Sequence, residues 1–158
     1  MPKRSVSLEQ MMPLIIERLA AGENVQFIPR GTSMRPMIFG GRDHVVLSPV
    51  KGKLKKHDIP LYKRDNGQYV LHRIVRVGET YTCMGDNQYH REDGIRQDQI
   101  LAVVSAFVRN GKRYNVTDFS YRTYSFFWYY SRPIRRCIGA VKWRVKYLFR
   151  KNETERSE

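Results

Sequence analysis

A serine and a histidine in this sequence have neighbours that could make them chemically active. Ser33 lies in the stretch GTSMRP, whose glycine, threonine and proline are also typical of a turn. Its hydroxyl becomes a nucleophile only with a base within hydrogen-bond reach and a third group that orients the base. His72, in YVLHRIV, is the candidate base, because strand alternation puts its ring on the apolar face of Val70 and Ile74. Taken alone, Ser33 also fits a turn residue and His72 a hydrogen-bonded core histidine.

Carboxylates that could orient an imidazole follow in the stretch MGDNQYHREDG. Asp86 stands in a Gly-Asp-Asn box and Asp93 in an Asp-Gly pair, and both also suit turns. Either could reach His72 if the loop folds back over the sheet, and spacing leaves the choice open. The remaining histidines lie among loop charges and are expected to face solvent: His44, His57 and His90.

The elements that must position these groups are short strands between residues 25 and 117. Asn66-Gly67 and Asn110-Gly111 between such segments are strong hairpin signals. We therefore predict a mainly β protein with a small, coiled antiparallel domain. Six segments are rich in β-branched and aromatic residues, namely VQFI, HVVLS, IPLYK, QYVLHRIVRV, TYTCM and ILAVVSAFV.

A short helix is predicted over residues 7–21, within an N-terminal segment of residues 1–24. Pro13 fits the first turn of a helix best, so the regular helix is expected to begin near Met12. Gly22 is a typical C-terminal stop. The predicted buried stripe comprises Leu8, Met11, Ile15 and Leu19.

The C-terminal region holds most of the excess positive charge. The chain has 29 Lys and Arg against 15 Asp and Glu, a formal net charge of +14. Between residues 109 and 151 there are twelve Lys or Arg and a single acid, Asp118. Such a chain favours anionic surfaces, either nucleic acid or acidic lipid.

Residues 118–151 are interpreted as an aromatic and basic amphipathic helical appendage, and residues 152–158 as a frayed tail. The helix is expected to start near Ser131, with an apolar stripe from Ile134 to Phe149 flanked by Lys and Arg. This pattern fits peripheral contact with an anionic membrane through residues 132–151, or equally a helix packed on the β domain.

The order of the short motifs resembles that of type I signal peptidases, and of the superfamily that they share with self-cleaving LexA-like repressors. The motifs GTSMRPMI, DHVV, HDIPLY, HRIV, GDN with a later aspartate, and ILAVV follow one another over residues 25–108. The resemblance implies a coiled antiparallel fold of that type, with residues 25–117 as the catalytic domain. A histidine at the position of the base is similar to the endoplasmic-reticulum and archaeal branch.

The resemblance implies a role for each matching residue. Ser33 is the nucleophile, whose backbone N–H is one oxyanion donor, and His72 is the general base. Asp93 is the orienting acid, and Asp86 supports the site or takes that role. The resemblance also implies substrate contacts by Gly31, Met34 and Pro36.

The sequence departs from the family pattern at several points. Gly31 stands where a serine often supplies the second oxyanion donor, so that donor is unassigned. His57 and Leu101 stand where the family often has glycine. The chain shows neither a signal peptide nor an N-terminal membrane anchor, so we expect a cytoplasmic protein, with peripheral contact at the cytoplasmic membrane face.

These observations predict a serine endopeptidase that cleaves a precursor or leader peptide after small residues, without a cofactor or metal. Cys83 and Cys137 lie in no metal-binding spacing and are expected to be reduced packing residues. Two alternatives stay open. The first is a non-catalytic basic binding module for nucleic acid, which is disfavoured because no nucleic-acid-binding motif is present. The second is a self-cleaving regulator with AAG, at residues 20–22, as its cleavage site.

Overall fold

The computed structural model describes residues 8–135 together with residues 137 and 144. The chain divides into two compact units, Met1–Arg122 and Thr123–Glu158. The strands predicted between residues 25 and 117 all lie in the first unit.

The protein is mainly β with antiparallel sheets and a few helices, which confirms the predicted class. Within the described residues the strands are β1 Val25–Phe27, β2 His44–Ser48, β3 Pro60–Lys63, β4 Tyr69–Leu71, β5 Arg73–Val77, β6 Tyr81–Met84, β7 Glu92–Ile95, β8 Ile100–Arg109 and β9 Lys112–Asn115. The larger sheet has the order β1-β2-β8-β3-β4, with β9 also paired to β8. The smaller sheet has the order β5-β6-β7.

The long predicted strand QYVLHRIVRV is two strands that belong to different sheets. β4 pairs with β3 in the larger sheet, and β5 pairs with β6 in the smaller one. His72 lies at the break between them, where the chain passes from one sheet to the other. The expectation of a single strand was therefore wrong, because alternation of apolar residues continues across the break.

The core of the first unit joins the two sheets. Its central cluster consists of Leu54, Tyr62, Ile74, Tyr81, Cys83, Ile95 and Ile100. Cys83 is fully buried, as predicted, and burial raises the pKa of its thiol to about 12. Cys137 is exposed, so the prediction that it is a packing residue was wrong.

Helix α1 spans Leu8–Ala20 and contains Pro13 inside it. The helix thus begins earlier than expected, and Pro13 is accommodated on its exposed side. Met12 is buried where Met11 was predicted. Gly22 ends the helix with a φ of 82°, as expected, and donates its N–H to the Leu19 carbonyl.

Helix α2 spans Phe119–Tyr130, so the helix begins before the predicted start at Ser131. The Asp118 carbonyl accepts the first helical hydrogen bond, from the Arg122 N–H. The predicted apolar stripe from Ile134 to Phe149 lies largely outside the described residues.

The predicted two-residue hairpin turn between β8 and β9 is confirmed. Asn110 and Gly111 have φ values of 50° and 76°, the left-handed conformation that this turn requires. Asn66-Gly67 lies in the longer connection between β3 and β4, where Gly67 has a φ of 87°.

Candidate active site

Ser33 and His72 line the same cleft, which has a volume of about 240 Å³. One wall comes from the segment after β1, which includes Arg30, Gly31 and Met34. The other wall comes from β4 and the residues that flank it. The two candidate residues are 39 positions apart in the sequence, and the fold brings both to one cavity.

Ser33 is held by the Gly-Asp-Asn box. Its carbonyl accepts a hydrogen bond of 2.7 Å from the Asn87 N–H, and the Asn87 side chain donates to the Thr32 carbonyl at 3.3 Å. A Cβ atom at Gly85 would lie only 2.7 Å from the Ser33 carbonyl oxygen. Glycine is therefore required there, because a side chain would push the serine segment away.

His72 is buried, with 4% of its side chain exposed. Its Nδ1 lies 2.9 Å from Glu92 Oε1 and 3.3 Å from the Tyr62 hydroxyl. An ionised carboxylate can only accept a hydrogen bond, so neutral His72 carries its proton on Nδ1. The lone pair is then on Nε2, the nitrogen that could take a proton from a hydroxyl.

Glu92 also forms a bidentate ion pair with Arg64. Arg64 donates from Nε at 2.7 Å and from Nη2 at 2.6 Å to its two oxygens. Burial acts to raise the pKa of Glu92, but the Arg64 hydrogen bonds and the field of His72 outweigh it, so this pKa lies below its ordinary value. The carboxylate is consequently ionised at neutral pH and fixed in orientation.

The surroundings also keep His72 neutral. Burial lowers the pKa of His72 below its ordinary value, and the neighbouring Glu92 opposes only part of that effect. A neutral imidazole with an oriented Nδ1–H is the form in which histidine acts as a general base.

Asp86 and Asp93 have partners other than His72. Asp93 is exposed and accepts a hydrogen bond of 2.6 Å from the Thr82 hydroxyl. Asp86 forms a buried bidentate pair with Arg73, at 2.8 Å and 2.7 Å. The carboxylate on His72 Nδ1 is that of Glu92, so the predicted orienting contact from an aspartate is corrected.

The Arg73–Asp86 pair connects the two halves of the site. Arg73 follows His72 in the chain, and Asp86 precedes Asn87, which binds the Ser33 carbonyl. Arg73 Nη1 also donates to the Tyr121 hydroxyl at 2.9 Å and to the His57 carbonyl at 3.1 Å. Asp86 therefore anchors the serine segment relative to His72 instead of orienting the imidazole.

Of the expected substrate residues, Gly31 and Met34 line the cleft, whereas Pro36 is not among the lining residues. The Pro36 carbonyl accepts a hydrogen bond from Arg109 at 3.1 Å. His57, at a position where glycine was expected, has a φ of 79°, a conformation that glycine adopts most easily.

Glu92 was overlooked at the sequence level. It directly precedes Asp93, and neighbouring residues of a strand point to opposite faces, so only one of them can reach a given side. The pairing of β6 with β7 is irregular between Tyr81 and Cys83 and places Glu92 opposite Cys83. The one clue in the sequence was strand alternation, which allows either Glu92 or Asp93 to face His72 but does not show which of them does.

Among the described residues, no group of His, Cys, Asp and Glu could hold a metal ion, and no helix is long and apolar enough to cross a bilayer. Comparisons with protein-family models, curated proteins and solved structures found no match to this chain.

Proposed function

We propose that this protein is a serine endopeptidase of the signal-peptidase type, with Ser33 as nucleophile and His72 as general base. The observation that carries the proposal is a serine and a buried, carboxylate-backed histidine lining one cleft. Glu92 takes the role of orienting acid, and its ionisation is maintained by Arg64.

The proposed reaction is acyl transfer in two steps. The Ser33 oxygen attacks a peptide carbonyl while His72 Nε2 removes the hydroxyl proton, and the imidazolium is stabilised by Glu92. His72 then gives the proton to the leaving amine as the C–N bond breaks. Water, deprotonated by His72, hydrolyses the ester and restores Ser33.

The substrate is proposed to be a precursor or leader peptide that binds as an extended strand. β4 is an edge strand that pairs with β3, and its three half-buried residues line the cleft. An extended peptide can add to such an edge through backbone hydrogen bonds. The cleft also contains buried Met34, Ile38 and Leu61, which suit small apolar side chains before the cut.

A fluorophosphonate probe tests the proposal, because it forms a covalent bond with an activated serine. We expect one adduct, located on Ser33 by peptide mass mapping. Ser33→Ala should lose the label, whereas Ser48→Ala, at the end of β2 and outside the cleft, should keep it. Absence of labelling, or labelling that survives Ser33→Ala, would contradict the assignment.

The same experiment separates the alternatives. Salt-sensitive binding of nucleic acid without serine labelling would favour the basic binding module. Self-cleavage at residues 20–22 would require an extended segment in the cleft, whereas Gly22 ends α1 through its hydrogen bond to Leu19.

We also propose that the second unit contacts an anionic membrane. Phe126, Phe127, Tyr130 and Ile134 are 51–66% exposed. Phe126, Phe127 and Tyr130 lie in α2, and at about 100° per residue they fall within an arc of about 100°; we call these three residues the aromatic stripe. Aromatic side chains favour the bilayer interface. Each nearby Lys or Arg adds roughly 1 kcal/mol of attraction to acidic lipid.

A further inference from the structure

The charge that lines the cleft has one sign. Among the described residues of its walls, Arg30 and Arg64 are the permanently charged groups, and no aspartate or glutamate is present. A peptide that enters the cleft therefore meets positive potential without a neighbouring carboxylate in the walls to repel its own acidic groups.

The two arginines differ in how far their charge is already compensated. Arg64 is paired with Glu92 at 2.6 Å, so its charge is balanced inside the site. Arg30 is exposed, and it takes part in none of the ion pairs found in the described part of the chain. Arg30 is thus the cation of the cleft that is available to a ligand.

The position of Arg30 in the chain limits where an acidic group of a bound peptide can lie. Arg30 is three residues before Ser33, on the same wall, and it directly precedes Gly31. A guanidinium at this position can bind a carboxylate on a peptide whose scissile bond lies at Ser33, and a bidentate pair would add directional preference.

We infer that the cleft selects peptides with an acidic side chain at a defined position near the scissile bond, and that Arg30 is the residue that recognises it. The inference rests on the proposed function only in assuming that an extended peptide occupies the cleft. It adds a substrate class, acidic peptides, to a site that otherwise favours small apolar residues.

Peptide binding tests this inference without requiring hydrolysis. Ser33→Ala protein is titrated with short alanine-rich peptides that are amidated at the C-terminus and labelled with an uncharged fluorophore. Each peptide carries Glu at one position and Gln at the other polar positions, and successive peptides move the Glu along the chain. Fluorescence anisotropy reports the affinity of each peptide.

We expect Glu at one or two adjacent positions to increase affinity about two- to fivefold, as one partly exposed ion pair does. Adding Arg30→Gln should remove this preference. Arg35→Gln is the matched control, because Arg35 is an exposed arginine of the same segment that does not line the cleft, and the preference should persist.

The position dependence separates recognition from general attraction to a basic protein. An equal gain from Glu at every position, a preference that survives Arg30→Gln, or failure of all peptides to bind would overturn the inference. Fluorophosphonate labelling of Ser33 is measured separately, so loss of the acidic preference and loss of the proposed peptidase activity remain distinguishable.

Discussion

His72 differs from a histidine in water through its burial and through the fixed partner on Nδ1. Its side chain is 4% exposed, and Glu92 Oε1 lies 2.9 Å from Nδ1. Burial disfavours the charged ring in the resting protein, while Glu92 stabilises the positive charge that appears when the ring accepts a proton. The residue is therefore ready to act as a base at neutral pH.

The rate of peptide cleavage should depend on pH through His72. Because burial lowers its pKa below the ordinary value, the ring is neutral at neutral pH. We expect kcat/KM to be constant at neutral pH and to fall on acidification below the ordinary histidine value of 6.5. His72→Ala should abolish turnover, and a fall centred at or above 6.5 would contradict this prediction.

Glu92 and Asp93 form a matched pair for mutagenesis, because they are adjacent and only Glu92 contacts the imidazole. Glu92→Gln removes the charge that fixes the tautomer and stabilises the imidazolium, so kcat should fall roughly 10²- to 10⁴-fold. Asp93→Asn should leave kcat near the wild-type value. Comparable losses in the two variants would reject Glu92 as the orienting acid.

The break between β4 and β5 and the Gly-Asp-Asn box together set the geometry of the site. His72 lies at the break, Arg73 begins β5, and the Arg73–Asp86 pair holds the box against that strand. Asn87 then binds the Ser33 segment. Serine and histidine are thus linked through one buried ion pair, which a change at either end would loosen.

Asp86→Ala should destabilise the protein strongly. Arg73 and Asp86 side chains are each 2% exposed, so the variant leaves a buried guanidinium without its carboxylate, at a cost of about 3–5 kcal/mol. The free energy of unfolding is measured by urea titration. Asp98→Ala is the control, because Asp98 is 72% exposed and its pair with Arg96 contributes about 0–1 kcal/mol.

Equal losses of stability in these two variants would contradict the prediction. If Asp86→Ala does not fold, the double variant Arg73→Met/Asp86→Leu provides the measurement. It removes both charges, and we expect it to be more stable than Asp86→Ala.

Both units are basic, and the excess of positive charge is denser in the second: residues 1–122 contain 20 Lys and Arg against 12 Asp and Glu, and residues 123–158 contain 9 against 3. The first unit contains the cleft, and the second unit exposes the aromatic stripe in a region rich in Lys and Arg. This separation suits a peptidase whose second unit brings it to a surface while the cleft receives the peptide.

Vesicle co-sedimentation tests the membrane proposal on the full chain. We expect binding to acidic vesicles, weaker binding to neutral ones, and release by high salt. Phe126→Ser/Phe127→Ser should weaken binding roughly tenfold or more, because two aromatic rings no longer enter the interface. Tyr89→Ser, which alters a similarly exposed aromatic residue of the first unit, should bind like wild type. Equal binding by both variants would exclude the aromatic stripe as the contact.

The local pattern of the sequence determined the elements of this protein. β2 and the Asn110-Gly111 turn match their predictions, because strand alternation and left-handed turn residues act over a few neighbouring positions. The end of α1 at Gly22 follows from the same kind of short-range constraint. The candidates Ser33 and His72 were also recognisable from their neighbours and from the order of the motifs.

Only the tertiary structure decided which carboxylate contacts His72. Glu92 and Asp93 are adjacent, and which of them faces His72 depends on how β7 pairs with β6. That pairing has an irregular register, which local propensity does not specify. The break at His72 and the change of sheet there likewise depend on pairing between distant segments. Helix α2 lies inside the region predicted to be helical, but its start at Phe119 was placed too late, at Ser131, because the aromatic residues of this segment favour strands locally.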